Sequence, residues 1–249
     1  MSDAQGRRPI AVIPARGGSK RIPRKNVRDF AGKPMLAWSI EAAHATGCFG
    51  RVIVSTDDEE VAAVAIRHGA EVPFRRPHDL SDDHATTTAV IAHASCWIES
   101  QGLCPSAICC IYATAPMIAP SDILAGFRLI AGGGWRFVFS ATRFEAPVQR
   151  GFERMPDGGL RMLWPEQFAV RSQDLPAVYH DAAQFYWGLP EAWQAQERIF
   201  DRASTCVEIP GWRSVDVDTE DDWIRAELLF RAAHPGPRGG EGVPGPGAP

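Results

Sequence analysis

Short apolar runs alternate along the chain with segments whose apolar residues recur at helical spacing. The runs cover Ile10–Pro14, Arg51–Ser55, Ala107–Tyr112 and Phe137–Ala141. Apolar runs of this length are typical of strands that are buried on both faces. Strands that alternate with amphipathic helices predict an α/β fold, in which helices cover both faces of a mostly parallel sheet.

Capping residues and glycines mark where the predicted helices begin and end. Pro34 is expected in the first turn of a helix that stops at Gly47. Asp57 is predicted to cap the next helix, with Glu60 as its capping-box partner, and that helix is expected to run to His68. Further helices are predicted at Thr86–Ser100, from Ser121 onwards and at Thr219–Ala233.

The alternation of strands and helices weakens after Phe144 and returns towards the carboxyl end of the chain. Residues 145–174 carry scattered Pro, Gly, Trp and charged residues, which predicts an insertion that projects from the sheet. Two further strands are predicted at Thr205–Ile209 and Arg213–Val217. After these elements the chain becomes rich in Pro and Gly, which cannot form a packed core. We therefore expect one domain over residues 1–233 and a disordered tail over residues 234–249.

The charge balance argues against two classes of partner. The chain has 249 residues, with 26 Lys and Arg against 30 Asp and Glu, and a formal net charge of -4. A faintly acidic chain has no global attraction for nucleic acid or for an anionic membrane surface. The longest apolar stretch, Ala107–Ala119, is interrupted by polar residues and is too short to span a bilayer. Neither nucleic acid nor a membrane is therefore an expected partner.

The cysteines and the first residues of the chain favour a cytoplasmic protein. The six cysteines show no C-x-x-C spacing, and the first eight residues are polar and lack the apolar stretch of a signal peptide. Free thiols are typical of a reducing compartment. Cys109 and Cys110 are adjacent within a predicted strand, so we expect them to point to opposite faces and to serve in packing.

The loop after the first predicted strand, residues 15–26, concentrates positive charge around two glycines, and we call it the glycine loop. Five cations fall within the ten residues from Arg16 to Lys25, together with Gly17 and Gly18. Open α/β sheets bind ligands at the carboxyl ends of their strands, and glycines let backbone N–H groups approach an oxyanion. The loop therefore suits a di- or triphosphate, although it matches neither the Walker A nor the dinucleotide-binding pattern. The alternative is a solvated basic loop that touches nucleic acid.

Two carboxylates near the end of the chain suit a metal ion. Asp216 and Asp218 close the last predicted strand, where residues two apart point to the same side. Magnesium takes oxygen ligands, commonly one or two carboxylates together with phosphates and water. The alternative is an acidic helix start, because three more acidic residues follow Thr219 and favour the helix dipole. Next to a triphosphate loop, we favour the magnesium interpretation.

Two polar segments carry weaker signals. Asp83 and Thr86 precede a predicted helix and can be simple helix caps. His180 and Asp181, followed by Gln184 and three aromatic residues, combine hydrogen-bonding and aromatic groups as a sugar site does. The alternative for this second stretch is a strand with one solvated face.

The glycine loop and the carboxylate pair occur within motifs of a known enzyme family. Ile13–Lys20, followed by Ile22–Asn26, resembles the signature of the acylneuraminate cytidylyltransferases, which are CMP-sialic acid synthetases. The resemblance covers nearly all of residues 10–230. It continues through Gly32–Pro34, Val54–Asp57, Arg76-Pro77 and Asp216–Thr219.

Within that family, Ile111–Pro116 and Tyr179–Trp187 are most similar to the pseudaminic acid branch. The N-acetylneuraminate branch usually has Gln-Pro-Thr-Ser-Pro where this chain has Tyr-Ala-Thr-Ala-Pro at residues 112–116. Ala183 stands where the pseudaminic acid branch commonly has Gly, a departure that bears on the shape of the sugar pocket.

The resemblance implies a Rossmann-like nucleotidyltransferase fold and a magnesium-dependent reaction of CTP with a nonulosonic acid, which gives the CMP-sugar and pyrophosphate. Arg16, Lys20, Asp216 and Asp218 would be the catalytic residues, and the two aspartates would bind Mg²⁺. The residues that would bind CTP are Ala15, Arg16, Gly17, Ser19, Lys20, Arg21, Lys25, Asn26, Arg76 and Thr87. Those that would bind the acidic nine-carbon sugar are Tyr112, Thr114, Arg171, His180, Asp181 and Gln184.

The resemblance also implies a homodimer, in which the insertion at residues 145–174 reaches towards the site of the neighbouring subunit. Pseudaminic acid is the expected sugar, and N-acetylneuraminate and legionaminate are the alternatives for the same chemistry. The alternative outside enzymes is a non-catalytic nucleotide-binding module, against which the paired Asp216 and Asp218 argue.

Overall fold

A six-stranded sheet lies at the centre of the protein, whose computed structural model describes residues 7–235. The strands of the chain are β1 (Ile10–Pro14), β2 (Asp29–Phe30), β3 (Lys33–Pro34), β4 (Arg51–Ser55), β5 (Ile108–Ile111), β6 (Phe137–Arg143), β7 (Phe152–Arg154), β8 (Leu160–Met162), β9 (Tyr179–Gly188) and β10 (Ser204–Glu208). The helices are α1 (Met35–Ala45), α2 (Glu59–Arg67), α3 (Thr87–Ser100), α4 (Pro120–Ala131), α5 (Pro190–Gln194) and α6 (Glu220–Ala233).

The central sheet is mostly parallel, which confirms the prediction from the alternating pattern. Its strand order is β10-β6-β9-β5-β1-β4. β1 pairs in parallel with β4 and β5, and β10 pairs in parallel with β6, whereas β9 is antiparallel to both of its neighbours. The amino-terminal half of β9 therefore lies beside the carboxyl ends of the parallel strands. This edge is where open α/β sheets bind their ligands.

Helices cover both faces of the sheet, as predicted. Leu36 of α1, Val61 of α2 and Ile123 of α4 belong to the core on one face. Ile91 of α3 and Trp193 of α5 belong to the core on the other face. Because the central strands are buried on both sides, they are apolar at successive positions, which is the pattern that revealed them in the sequence.

The adjacent cysteines of β5 pack into the two different cores, as strand geometry predicts. Cys109 belongs to the same core as α1, and Cys110 belongs to the core of α3. Both side chains are fully buried, and this burial raises the pKa of each thiol. The two cysteines therefore remain protonated and act as small apolar residues.

Most predicted element boundaries lie close to the observed ones, but two predictions are wrong. The cap of α2 is Asp58, whose Oδ1 accepts hydrogen bonds from two N–H groups in the first turn, whereas Asp57 faces the glycine loop. The predicted strand at Arg213–Val217 does not form, because this segment consists of the end of a 3-10 turn, Gly211–Arg213, and irregular chain after it. Asp216 and Asp218 are therefore positioned outside the sheet, just before α6.

A third, smaller core packs α6 against the chain that follows the glycine loop. Phe30 of the β2–β3 hairpin lies edge-on to Trp223 and Phe230 of α6, with ring centroids 5.4 and 5.5 Å apart. Ile22 of the glycine loop and Val217, which lies just before α6, are fully buried in the same core. This packing joins two segments that are about 190 residues apart in the chain and brings the glycine loop to the carboxylate pair.

The segment predicted as an insertion forms the β7–β8 hairpin and three short 3-10 turns around it. Several of its large apolar side chains are exposed, and the most exposed are Leu160 at 66% and Phe168 at 70%. The others are Phe152, Leu163 and Trp164. A cluster of exposed apolar side chains is typical of a surface that contacts another protein.

The described chain ends two residues after α6, where the ring of His234 stacks on Phe230 at a centroid distance of 4.2 Å. The rest of the predicted tail, residues 236–249, lies outside the described residues. Within residues 7–235, no helix is both long enough and apolar enough to cross a bilayer.

Candidate active site

The glycine loop begins directly after β1, at the carboxyl edge of the sheet. Ala15 is buried, and its N–H donates to the Ser55 carbonyl at the end of β4 over 3.0 Å. Asn26 is buried at the other end of the loop, and its side-chain amide donates to the Arg16 carbonyl over 2.9 Å. Both ends of the loop are therefore fixed, and the residues between them have a defined position over the sheet edge.

Gly17 is required where the loop passes close to the start of α2. A Cβ atom at position 17 would lie 2.5 Å from Asp58 Oδ2 and 2.7 Å from Asp58 Cβ, which is too close for any side chain. The Gly17 N–H donates to Asp57 Oδ1 over 3.1 Å. At Gly18, by contrast, a Cβ atom would meet no other atom within 4 Å. This second glycine leaves its side of the loop open for a ligand to approach the backbone.

Asp83 bridges two of the loop cations. Its Oδ1 lies 2.7 Å from Arg16 Nη1, and its Oδ2 lies 2.5 Å from Lys20 Nζ. Lys20, followed by Arg16, holds the pKa of the Asp83 carboxyl below its usual value. Asp83 lies in a turn before α3 that is closed by Asp82, whose Oδ1 accepts two N–H groups of the same turn. A carboxylate from a distant part of the chain thus faces both positive charges.

Asp218 bridges two other loop cations. Its Oδ1 lies 2.8 Å from Arg21 Nη2 and 3.4 Å from Lys25 Nζ. Lys25 also donates to the Val217 carbonyl over 2.6 Å. The fifth loop cation, Arg24, pairs with an acidic residue of α2 instead. The structure therefore brings four of the residues predicted to hold phosphate next to two carboxylates, one of which is a predicted metal ligand.

Asp216 and Asp218 offer an oxygen donor set that suits Mg²⁺. Partial desolvation raises the pKa of the Asp216 carboxyl, and the negative charge of Asp218 raises it further. Within residues 7–235, no group of three or more His, Cys, Asp or Glu side chains is arranged to hold a metal ion. An ion at this pair would complete its shell with phosphate oxygens and water, the combination that Mg²⁺ commonly takes.

Arg76 is a buried arginine beside the loop with unused hydrogen-bonding capacity. It is 5% exposed, and its Nε and Nη2 have no hydrogen-bond partner among residues 7–235. Nη2 lies 3.6 Å from Asp57 Oδ1, the oxygen that also accepts the Gly17 N–H. Burial lowers the pKa of the Arg76 guanidinium, and the charge of Asp57 opposes this shift. Because unpaired buried donors are costly, this position suits a ligand that accepts hydrogen bonds.

Tyr112 connects the predicted nucleotide residues with the predicted sugar residues. It follows β5 directly, and its N–H donates to the Gln184 carbonyl of β9 over 2.9 Å. Its hydroxyl lies 3.0 Å from Thr87 Oγ1 at the start of α3, and its ring lies 5.3 Å from the ring of Tyr186. Burial raises the pKa of Tyr112, so its hydroxyl stays protonated and can donate a hydrogen bond.

Asp181 holds an irregular part of β9 in place. Its Oδ1 accepts the Ala183 N–H over 2.9 Å, and its Oδ2 accepts the Tyr186 hydroxyl. The register of β9 against β6 shifts at this point, and Ala183 adopts a φ of 51°, in the left-handed region. Glycine reaches this conformation without steric cost, which explains in physical terms why a Gly suits position 183.

Gln184, His180 and Thr114 reach the same edge of the sheet with different surroundings. Gln184 is buried and donates through Nε2 to the Arg213 carbonyl over 2.7 Å, whereas its Oε1 has no partner among the described residues. His180 is exposed, with its ring 4.6 Å from that of Phe144. Thr114 lies half-buried in the turn after β5.

Among the described residues, Arg171 forms no hydrogen bond or ion pair with this group. It lies on the segment predicted as an insertion, its side chain is 74% exposed, and its Nε pairs with Asp174 Oδ2 at 2.9 Å. The place of Arg171 in the sugar pocket therefore stays a prediction, and its position is set by the short 3-10 turn that follows it, Ser172–Asp174.

Known proteins resemble this chain in both fold and sequence. A CMP:2-keto-3-deoxy-manno-octonic acid synthetase, solved in complex with CTP, has a TM-score of 0.66 to this chain at 18% identity and covers 90% of this chain and 99% of its own. That likeness shows a shared nucleotidyltransferase fold. The sequence model of the cytidylyltransferase family matches residues 10–145, which include the glycine loop and Asp83. The chain belongs to this family.

Two relatives match this cytidylyltransferase over nearly its whole length. The pseudaminic acid cytidylyltransferase of Campylobacter jejuni subsp. jejuni is 41% identical over 225 residues, which are 90% of this chain and 97% of that protein. The CMP-N,N'-diacetyllegionaminic acid synthase of Legionella pneumophila subsp. pneumophila is 37% identical over 228 residues, which are 89% of this chain and 95% of that protein.

Four residues at the site of this cytidylyltransferase have positions that the sequence pattern alone does not reveal. Asp83 lies just before a helix and therefore fits the pattern of a helix cap. The loop cations that it contacts are far away along the chain, so the sequence does not reveal the contact. Asp57 and Asp58 are adjacent, and either can cap α2 by pattern alone. Tyr186 is one of three consecutive aromatic residues, and the irregularity of β9 breaks the alternation that would assign it to a face.

Proposed function

We propose that this cytidylyltransferase transfers CMP from CTP to a nonulosonic acid, with pseudaminic acid as the sugar, and releases pyrophosphate. The observation that carries the proposal is the convergence of the glycine loop and the carboxylate pair at one edge of the sheet, joined through Asp218. A loop rich in cations suits a triphosphate, and paired carboxylates suit the divalent cation that accompanies it.

The proposed reaction exchanges one phosphorus–oxygen bond for another. The anomeric hydroxyl of the sugar attacks the α-phosphorus of CTP and loses its proton to water, while the bond from that phosphorus to the oxygen of pyrophosphate breaks. Negative charge builds on the phosphoryl oxygens during this exchange. Arg16 and Lys20 would stabilise the part of that charge that develops on the departing pyrophosphate, and they would do so more in the transition state than in the ground state, which is how a binding residue accelerates a reaction.

The remaining loop residues would bind the triphosphate and the nucleoside. Arg21 and Lys25 lie within reach of Asp218 and would share the phosphates with a bound cation. The N–H groups of Gly17 and Ser19 already donate to Asp57 and to the Gly17 carbonyl, so the Gly18 N–H and the Ser19 hydroxyl would contact the phosphate oxygens. The nucleoside would lie against Ala15 directly after β1, the buried Arg76, Thr87 at the start of α3 and the closing residue of the loop, Asn26.

Asp216 and Asp218 would hold Mg²⁺. Bound Mg²⁺ supplies charge neutralisation to the triphosphate and helps to orient it. Asp218 forms ion pairs with Arg21 and Lys25. Phosphate groups would take over those two cations when CTP binds, which would leave the carboxylate available to the metal.

The choice of pseudaminic acid rests on the full-length similarity to the Campylobacter jejuni protein and on the segments at residues 111–116 and 179–187. Asp181, Gln184, Tyr112, Thr114 and His180 line the edge where the sugar would bind. Legionaminate is the strongest alternative, since the Legionella pneumophila relative is named for the diacetyl form of that sugar. N-acetylneuraminate is the other alternative for the same chemistry.

The experiment is a pyrophosphate-release assay with CTP, Mg²⁺ and each of the three nonulosonic acids, with product identity checked by mass spectrometry. We expect the highest kcat/KM with pseudaminic acid, and no release when EDTA replaces Mg²⁺. Preference for another sugar would overturn the substrate assignment alone. CTP binding without pyrophosphate release from any of the sugars would support a non-catalytic nucleotide-binding module and contradict the proposed reaction.

We also propose a homodimer that works in the cytoplasm. The exposed apolar side chains of residues 145–174 support a contact between subunits, and Arg171 on this segment would then reach the neighbouring site instead of its own. The support for the compartment is that all six cysteines are free thiols, the state that a reducing environment maintains.

A further inference from the structure

We infer that Asp83 sets how much negative charge a ligand must carry to bind the glycine loop. The inference rests on the proposed function, because it takes this loop as the triphosphate site. Asp83 presents one carboxylate oxygen to Arg16 and the other to Lys20. The Asp83 carboxylate thus occupies the position between these two cations that a phosphate group of a ligand would take.

A phosphate that binds Arg16 and Lys20 must displace the Asp83 carboxylate. The side chains of Lys20 and Asp83 are 79% and 43% exposed, so their ion pair lies in solvent and can open at modest cost. The attraction between the negative charge of the ligand and the two cations must offset that cost. A pyrophosphate group, free or as part of CTP, brings enough charge to do so, whereas the single phosphate of CMP remains at the nucleoside end and leaves the pair closed.

The Asp83 carboxylate makes no other interaction with the described residues that would explain its position. Among residues 7–235 its carboxylate contacts only the two loop cations, and the turn that carries it is closed by Asp82. The cap of α3 is Thr86, whose hydroxyl accepts the Ala89 N–H. Removing the negative charge at position 83 therefore removes a competitor of the ligand and leaves the supports of the turn and of the helix in place.

If Asp83 competes with the ligand, removal of its charge should change the affinities for three ligands in different ways. In D83N, CTP and pyrophosphate should both bind more tightly, and by the same factor, because each displaces the same ion pairs. Two exposed ion pairs correspond to about a threefold to tenfold change in affinity. The affinity for CMP should not change. Pyrophosphate, as the leaving product, should also become a stronger inhibitor of turnover by a similar factor.

The test is isothermal titration calorimetry of the full chain with CTP, pyrophosphate and CMP at one Mg²⁺ concentration and without sugar. The matched control is D79N, which removes an exposed carboxylate from the same segment that forms no ion pair with the described residues. Thermal unfolding of both variants checks that they are folded, and D83E, which keeps the charge, should bind as the wild type does.

The outcomes separate the inference from the function on which it rests. Tighter CTP and pyrophosphate binding in D83N alone supports the inference. Weaker or unchanged binding overturns it, since Asp83 would then organise the two cations for the ligand or have no effect on it. An equal gain for CMP, or an equal gain in D79N, overturns it as well, because the effect would be one of general charge. If the wild-type protein binds neither CTP nor pyrophosphate, the proposed function itself fails.

Discussion

Lys20 is the single residue that tests the phosphate role of the glycine loop most directly. Its side chain is 79% exposed and pairs with Asp83, so we expect Lys20→Ala to fold normally. Loss of one preorganised positive charge should cost about 2–4 kcal/mol of transition-state binding, or about 30-fold to 1,000-fold in kcat/KM for CTP. Arg24→Ala is the matched control, since Arg24 belongs to the same loop but pairs with α2, and it should stay near wild type. An unchanged kcat/KM in Lys20→Ala would rule out the assigned role.

Asp218 tests the metal role at the same scale. Asp218→Asn keeps the shape of the side chain and removes the charge, so turnover should fall by about 100-fold or more while the fold is retained. The measurement is the initial rate over a Mg²⁺ titration, together with the far-UV circular dichroism spectrum. The control is Asp221→Asn, an exposed carboxylate in the first turn of α6 that should leave the rate nearly unchanged. Near wild-type turnover of Asp218→Asn at saturating Mg²⁺ would contradict the assignment.

At the scale of the element, β9 carries a local strain that one substitution should relieve. Ala183 has a φ of 51°, which disfavours any residue with a Cβ atom. We expect Ala183→Gly to raise the free energy of unfolding by up to about 1 kcal/mol, measured by urea denaturation. Ala182→Gly is the matched control, because Ala182 is buried in the same strand and its replacement should lower that free energy by about 1 kcal/mol. A loss of stability in Ala183→Gly would show that the left-handed conformation carries no strain.

The elements also show why part of the fold was predictable and part was not. β1 and β4 are apolar at successive positions because both faces are buried, and that pattern is local to the sequence. Val215 and Val217 alternate with polar residues, which is a second pattern typical of a strand. In the structure, however, these valines pack in the core beside α6, and their segment does not form a strand. The alternating pattern indicates which side chains are buried, but it does not indicate whether a neighbouring strand or a helix packs against them.

The same distinction applies to the site. The glycine loop and the carboxylate pair could be identified because each is a compact motif, whereas the contact of Asp83 with Arg16 could not. That contact joins a turn before α3 to the end of β1, and it exists only because β1 and the start of α3 meet at the same sheet edge. The direction of β9 is likewise a property of the assembled sheet, since an antiparallel strand in the middle of it has no distinct local pattern.

At the scale of the whole molecule, the net charge of -4 conceals a strong local separation of charge. Four cations of the glycine loop face two carboxylates across a few ångströms, and ordinary surface residues supply the remainder. A protein with this distribution attracts a small polyanion at one edge without attracting nucleic acid or membranes in general. The position of the charges, and not their sum, therefore sets the class of ligand.

The exposed apolar side chains at residues 145–174 bear on how whole molecules assemble. If they form the contact between subunits, placing two negative charges there should weaken the dimer by about 100-fold or more, since each buried charge is costly. We expect the double variant Leu160→Asp with Phe168→Asp to sediment as a monomer in analytical ultracentrifugation at a concentration where the wild-type protein is a dimer. Ile66→Asp, at a 60% exposed position of α2, is the matched control and should remain dimeric. A monomeric wild-type protein, or a double variant that stays dimeric, would show that this apolar surface serves another contact.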